Sequence, residues 1–421
     1  MSLRILLLAP HPFYAARGTP MAERSMIRAL CDVGHRIDVL TYHEGEDPDI
    51  PGSRIFRIPP IPGVYDVPPG LSWKKMVCDL ALATSFLLRI RKVDYDVVHA
   101  VEESVFLARI GQYVTKTPYV YDMDSSLPHE VLRAVPWLSP LGAFLDAIER
   151  WGIRGSDGVL AMCASLADHA REQGAPGPVG VAEDATLLTR PPESERIPED
   201  LALIASHPVV MYVGNLASYQ GVELLADAFA RLTERRPDVR LVVIGGGEDR
   251  IGDLRERARR KGCGEQTHLL GPRSPDRLGA YFAGADVLVS PRLHGDNTPM
   301  KIYSYLDSGR PVVATRIRAH TQVVDEDIAA LVEPDPQTMA ETLVDLLADP
   351  ERRRALATRA RRKVRREYTP EAQRSKILAF YRRLECALGI YTASPSPPDV
   401  IHRPFCGPPA VSSASDWPRE E

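Results

Sequence analysis

Cysteine is scarce in this 421-residue chain: Cys31, Cys78, Cys163, Cys263, Cys386 and Cys406, none in a Cys-x-x-Cys pair. That usage argues against a zinc ribbon or a disulfide framework and reads as reduced thiols in a cytosolic protein. Basic residues do not dominate: the net charge is −4, so there is no global positive field of the kind that nucleic-acid binding requires. No apolar run reaches the ~18 residues of a membrane span. The apolar start, Met1 to Pro10, is too short for a signal peptide and reads as a buried strand. Gly-x-Ser-x-Gly, His-Glu-x-x-His and Gly-Lys-Ser/Thr are all missing. Those absences argue against a serine hydrolase, a zincin and a P-loop NTPase.

What is present is a repeated alternation of short apolar runs and helical segments, the mark of βαβ units around a parallel sheet. The length fits two domains. The expected division is a first α/β domain over 1–185, a proline-rich linker over 186–206, and a second α/β domain over 207–370. A helix over 371–389 follows, then a disordered tail rich in Pro and Ser over 390–421. Strands are expected at Arg4–Ala9, His35–Tyr42 and Asp96–His99 in the first half, and at Val209–Val213, Arg240–Gly245 and Asp286–Ser290 in the second. Two doubly wound sheets face one another across a cleft, and ligands of such sheets bind beyond the carboxyl ends of the strands.

The loops at those ends are the candidates. Gly18-Thr19-Pro20-Met21 and Asn297-Thr298-Pro299-Met300 share a pattern. Each is expected to open a helix with Thr at the N-cap and Pro at the first helical position. Helix starts offer free N–H groups and a positive dipole end to a phosphate, although good capping alone explains the pattern equally well. Gly245-Gly246-Gly247 follows an apolar strand but lacks the third glycine of the dinucleotide fingerprint, since Arg250 stands there. Asp122-Met123-Asp124 could grip a cation, yet Asp-x-Asp recurs at 47/49, 94/96 and 325/327, so no metal site is assigned.

From Ser290 to Thr315 the sequence, with Asn297-Thr298-Pro299-Met300-Lys301 at its centre, resembles the donor-binding segment of glycosyltransferase family 4. Val213-Gly214-Asn215-Leu216, Tyr219-Gln220-Gly221-Val222-Glu223 and Val243-Ile244-Gly245-Gly246-Gly247-Glu248 are similar to other parts of that family's second domain. The similarity covers about residues 3–388. It implies a GT-B fold and transfer of a sugar from a nucleotide-sugar, with retention of configuration and without a metal or other cofactor. Gly18 and Thr19 would then lie near the acceptor and the donor phosphate. Thr298, Met300 and Lys301 would meet the donor's sugar and phosphate, and Gly246, Gly247 and Asn297 would line the donor site.

Five positions depart from the family's pattern. Its two glutamates are here Asp296 and Ser304; its diphosphate-binding arginine and lysine are Asn215 and Gln220; a common histidine is Asp124. Asp296 keeps a carboxylate for a donor-sugar hydroxyl, and Ser304 is left with a hydroxyl for the ribose. Asp124 is expected to accept from sugar hydroxyls instead of acting as a neutral donor. Lys301, Arg17, Arg273 and Arg292 could replace the missing cations, with Lys301 the favoured one. The expected catalytic group is thus Asp296, Lys301 and Asp124.

The implied activity is transfer to a glycan or lipid-linked acceptor, as in polysaccharide or glycolipid synthesis, with no nucleic-acid partner. The expected location is cytoplasmic, with peripheral contact to the inner face of a membrane as a further option. Two surfaces raise that option: the apolar stretch opened by Trp73-Lys74-Lys75, and the arginine run over 351–367, which otherwise reads as a solvated face. A nucleotide-sugar 2-epimerase of the same architecture and a non-catalytic sugar-nucleotide-binding subunit remain as alternatives.

Overall fold

The strands are short, rich in β-branched residues and buried on both sides, as in Val97-Val98-His99-Ala100-Val101. Such runs need a parallel sheet covered on both faces by crossover helices. The computed structural model describes residues 2–13, 18–68, 70, 72–189, 192, 196–202, 204 and 206–390. Its first half carries strands β1 (Arg4–Ala9), β2 (Arg36–Thr41), β3 (Ser53–Arg57), β4 (Val97–Val101), β5 (Tyr119–Met123), β6 (Gly158–Ala161) and β7 (Val179–Val181). They form one parallel sheet in the order 3-2-1-4-5-6-7. Around it lie α1 (Gly18–Cys31), α2 (Trp73–Ile90), α3 (Ser104–Thr115), α4 (Leu127–Ala134), α5 (Gly142–Gly155) and α6 (Ala164–Glu172).

After a short linker helix, α7 (Glu199–Ala202), the pattern restarts. Strands β8 (Val209–Val213), β9 (Arg240–Ile244), β10 (Thr267–Gly271), β11 (Val287–Ser290), β12 (Val312–Thr315) and β13 (Ala330–Val332) form a second parallel sheet in the order 10-9-8-11-12-13. Its helices are α8 (Val222–Arg235), α9 (Glu248–Arg260), α10 (Leu278–Ala283), α11 (Lys301–Asp307), α12 (Arg318–Thr321), α13 (Pro336–Ala348) and α14 (Pro350–Glu367). The arginines of α14 are more than a solvated face. Arg353 pairs with Asp286 at 3.1 Å, and Arg361 donates to the carbonyls of Asp307 and Ser308, which ties the helix to α10–α11 and β11.

The last helix, α15 (Pro370–Ala387), returns to the first domain. Its Ile377, Phe380, Tyr381 and Leu384 share a core with Leu3, Ile5 and Leu7 of the first sheet. Glycine makes the fit: a Cβ at Gly180 of β7 would lie 2.7 Å from the Phe380 ring. The chain therefore passes between domains twice, and the passages are bonded together. The Thr186 N–H donates to the Tyr368 carbonyl at 2.9 Å, and Lys376 binds Glu183 at 2.7 Å.

Two expected helix starts are corrected. Helix α1 begins at Gly18, so Thr19 sits inside its first turn and not at the cap. Pro20 tolerates this because first-turn N–H groups have no intrahelical acceptor. Helix α11 begins at Lys301 with Met300 at the cap. Ahead of it the Ile302 N–H reaches the Pro299 carbonyl three residues back, a tighter turn than the expected α-helical one. The expected tail lies outside the described residues from 391 on, as does Arg17.

Candidate active site

On the second domain the cleft wall is built by a sharp exit from β8. Gly214 has φ +152°, and a Cβ there would lie 3.0 Å from both Lys301 Nζ and the Tyr212 hydroxyl. Gly221 has φ +71°, and a Cβ would lie 1.9 Å from the Pro291 carbonyl oxygen. Only glycine permits that approach, and it sets Gln220 against the loop after β11. Lys301 then reaches the Gln220 side-chain oxygen at 2.8 Å and the Tyr212 hydroxyl at 3.0 Å, with its ammonium 4.1 Å from the centre of the Tyr212 ring. The Tyr212 hydroxyl in turn donates to the Asn215 carbonyl at 2.6 Å.

Arg292 is the second cation. It is buried and donates to the His294 carbonyl at 2.9 Å, the Asn297 carbonyl at 3.2 Å and Asn297 Oδ1 at 2.8 Å. Among the described residues neither cation has a carboxylate within 4.0 Å. Burial, with the charge of Arg292 nearby, drives the Lys301 ammonium well below the usual lysine range. Two buried cations held only by neutral groups make a site that gains from an anion.

The facing wall belongs to the first domain and has the opposite sign. Asp124 follows β5, Glu102 follows β4 in a left-handed conformation (φ 48°), and Asp184 follows β7. Glu23 of α1 is buried with one oxygen 2.9 Å from His11. Burial first, then Asp122, Glu102, Asp184 and Glu23, pushes the Asp124 carboxyl well above the usual range. Glu102 and Asp184 are each pushed up to about 7 by burial and their neighbours. Both causes favour the protonated form of Asp124, in which the group would donate a hydrogen bond and not only accept one. Asp122 is engaged by His99 at 2.9 Å. Among the described residues no three His, Cys, Asp or Glu side chains gather as metal ligands.

The loop holding Asp296 spans the two walls. Its carboxylate lies 3.3 Å from His129 and 3.8 Å from Arg133 of α4. Its carbonyl accepts from Ser165 Oγ at 3.1 Å and Gln322 Nε2 at 2.7 Å.

Several expected donor-site residues have other duties. Ser304 is buried and accepts the Leu187 N–H at 3.0 Å, so it anchors the linker; this replaces the ribose contact expected of it. Arg273 is committed to Asp200 and to the Tyr281 hydroxyl, both at distances under 3 Å, and is not a spare cation. Asn215 closes a turn by accepting the Ala217 N–H at 3.2 Å. Gln220 accepts from Lys301 at 2.8 Å. Gly246 (φ +85°) leaves room for Leu216, while Gly247 caps α9 and faces open space. Thr298 is buried beside the cations' loop. The sequence reading missed Tyr212, Glu102, Glu23 and Asp184. The rule that pointed to strand ends could have found Glu102, which follows β4 directly, and Asp184, three residues beyond β7.

Two facing doubly wound domains, with unneutralised cations on one side of the cleft and carboxyls on the other, define a GT-B type of site. The model of the "Glycosyl transferase 4-like domain" matches residues 18–182, and that of "Glycosyl transferases group 1" matches 207–349. The chain belongs to this glycosyltransferase family. A D-inositol 3-phosphate glycosyltransferase of Corynebacterium urealyticum is 32% identical over 205 residues. That match spans 46% of this chain and 48% of the relative, about half of its length. A phosphatidyl-myo-inositol mannosyltransferase of Mycolicibacterium smegmatis is 24% identical over 91% of this chain and 95% of its own. Among solved structures, a sucrose-phosphate synthase of Thermosynechococcus elongatus aligns with TM-score 0.73 at 20% identity, over 91% of this chain and all of that one. An Anabaena protein, HepE, solved with UDP, aligns with TM-score 0.70 at 17% identity, over 90% of this chain and all of that one.

Proposed function

We propose that the protein is a retaining, metal-independent glycosyltransferase that moves a sugar from a nucleotide-sugar to a glycan or lipid-linked acceptor. The observation that carries this reading is the pair Lys301 and Arg292, buried without a carboxylate partner among the described residues. A departing nucleoside diphosphate supplies the missing negative charge, and fixed cations lower the barrier by meeting charge as it develops. In this scheme Lys301 binds the diphosphate, and the backbone near Thr298 and Met300 approaches the donor. Asp296 accepts from a hydroxyl of the donor sugar, and protonated Asp124 donates to one. Gly18 and Thr19, in the first turn of α1, border the acceptor side.

Thermal shifts with a panel of nucleoside diphosphates and nucleotide-sugars, with and without EDTA, test this. Uridine nucleotides come first, because the Anabaena neighbour was solved with UDP. A ligand at about 100 times its Kd should stabilise by about 2.7 kcal/mol, and EDTA should change nothing. No shift with any nucleotide would sink the proposal. The carboxyls brought near 7 also suit the acid and base of a 2-epimerase. Chromatography separates the two: a transferase releases nucleoside diphosphate, whereas an epimerase returns an isomeric nucleotide-sugar.

Peripheral membrane contact is also proposed, through the outer face of α2, α3 and α5. Among the described residues no helix is long and apolar enough to cross a membrane. Yet most of the exposed large apolar side chains among the described residues lie on these three helices, including Trp73, Leu80, Tyr113 and Phe144, and the exposed Trp137 lies in the segment just before α5. The opposite side of α2, with Cys78, Leu82, Phe86 and Ile90, is core. Lys74 and Lys75 are committed to the carbonyls of Tyr65 and Pro10, so apolar area supplies the attraction rather than those lysines. Trp137→Ser combined with Leu80→Ser should lower co-sedimentation with anionic vesicles about tenfold or more, given about 1.5–3 kcal/mol per large apolar side chain. Nucleotide affinity should not change. Equal co-sedimentation of variant and parent would rule the surface out.

A further inference from the structure

A chain of hydrogen bonds runs from the returning helix to the acidic wall. The Tyr381 hydroxyl of α15 lies 2.8 Å from His99 Nδ1, and His99 Nε2 lies 2.9 Å from Asp122 Oδ2. His99 and Tyr381 are both buried, and their rings stack with centroids 6.1 Å apart. Among the described residues His99 is the one hydrogen-bond partner of the Tyr381 hydroxyl. Burial keeps that phenol protonated, so it must donate to Nδ1. The imidazole then carries its hydrogen on Nε2 and donates it to Asp122. One tautomer is thereby selected, in the way a second hydrogen bond fixes a histidine elsewhere.

Asp122 lies at the end of β5, two residues before Asp124, and its charge acts on Asp124 together with those of Glu102 after β4, Asp184 after β7 and Glu23 of α1. Of these, Asp122 is the one held from behind by a buried histidine. We propose that Tyr381 is a positioning residue for the active site: through His99 it locks the Asp122 carboxylate in the orientation that sets it against Asp124. The proposal rests on the reading of Asp124 as a protonated donor to the bound sugar. It also explains why a helix that leaves the second domain must dock on the first for the site to be complete.

Without the Tyr381 hydroxyl, Nδ1 loses its donor. His99 can then turn, change tautomer or take a proton. Each outcome weakens the negative field that Asp122 exerts on Asp124, so Asp124 should release its proton at lower pH. The test is an infrared pH titration of the protonated carboxyl band, assigned by its disappearance in Asp124→Asn. Asp122→Asn should lower the Asp124 midpoint by about one to three pH units, the usual effect of a near carboxylate. Tyr381→Phe, which keeps the packed ring, should lower it by up to about one pH unit. The alkaline limb of nucleotide-sugar turnover should move with it. An unmoved midpoint in Tyr381→Phe overturns the proposal, even if activity falls, because the residue would then act through packing alone. An unmoved midpoint in Asp122→Asn overturns the link between the two carboxyls. The titration needs no substrate, so absence of turnover would count against the proposed function and leave this result standing.

Discussion

Replacing Lys301 by methionine should lower affinity for a nucleoside diphosphate by about ten- to hundredfold, the worth of a charge-assisted hydrogen bond. The same change should make the ligand-free protein more stable. Lys301 is buried, and among the described residues the Tyr212 hydroxyl and the Gln220 amide oxygen are its hydrogen-bond partners, so a positive charge on it is costly. Methionine has a similar length and no charge to desolvate. The sign of the pH dependence follows. The folded-state pKa of Lys301 is depressed, so the unfolded chain binds the proton more tightly. This residue's destabilising effect is full at low pH. It fades as pH rises from the folded midpoint toward the unfolded value of about 10.4, and vanishes above that. The stability advantage of Lys301→Met in urea melts should shrink over the same window. A variant that is less stable than the parent at neutral pH, or that binds nucleotide equally well, would show that the cation is not poised for an anion.

Asp124→Ala should slow turnover by about a hundredfold, and Asp124→Asn by less than tenfold. A lost hydrogen-bond donor to a charge-bearing transition state costs about 10²–10³ in rate. Asparagine keeps an N–H donor where the protonated carboxyl has O–H. The parent should lose activity as pH rises through the Asp124 midpoint, because the donor becomes an acceptor facing Asp122, Glu102 and Asp184. Asp124→Asn should lack that limb. Equal losses in the two variants would instead mark Asp124 as a base or nucleophile.

The fold could be read from the sequence because its signals are local. Val209–Val213 is an apolar run whose ends need no tertiary information, and it forms the strand expected. Strand β7 went unread, since a segment as short as Val179–Val181 carries too few residues for a period to show. Lys301 was legible as a cation in the first turn of a helix. Its partners were not, because Gln220 lies 81 residues away and meets it only where Gly221 lets two loops touch. The environment of Asp124 was not legible for the same reason. A carboxyl's charge depends on its neighbours, and Glu23, Glu102 and Asp184 come from three separate elements. Ser304 and Arg273 had residue types that fit a ligand. Both are claimed by chain segments that pass between or beside the domains.

The paired passages between domains carry one further consequence. A gate hung on a single pin can swivel and sag as well as swing. Here the strand near Thr186 and the turn at Tyr368 are bonded side by side, with Lys376 clasping Glu183 across them. Two pins define a line, and together they hold the wall carrying Lys301 and Arg292 in one orientation relative to the first domain.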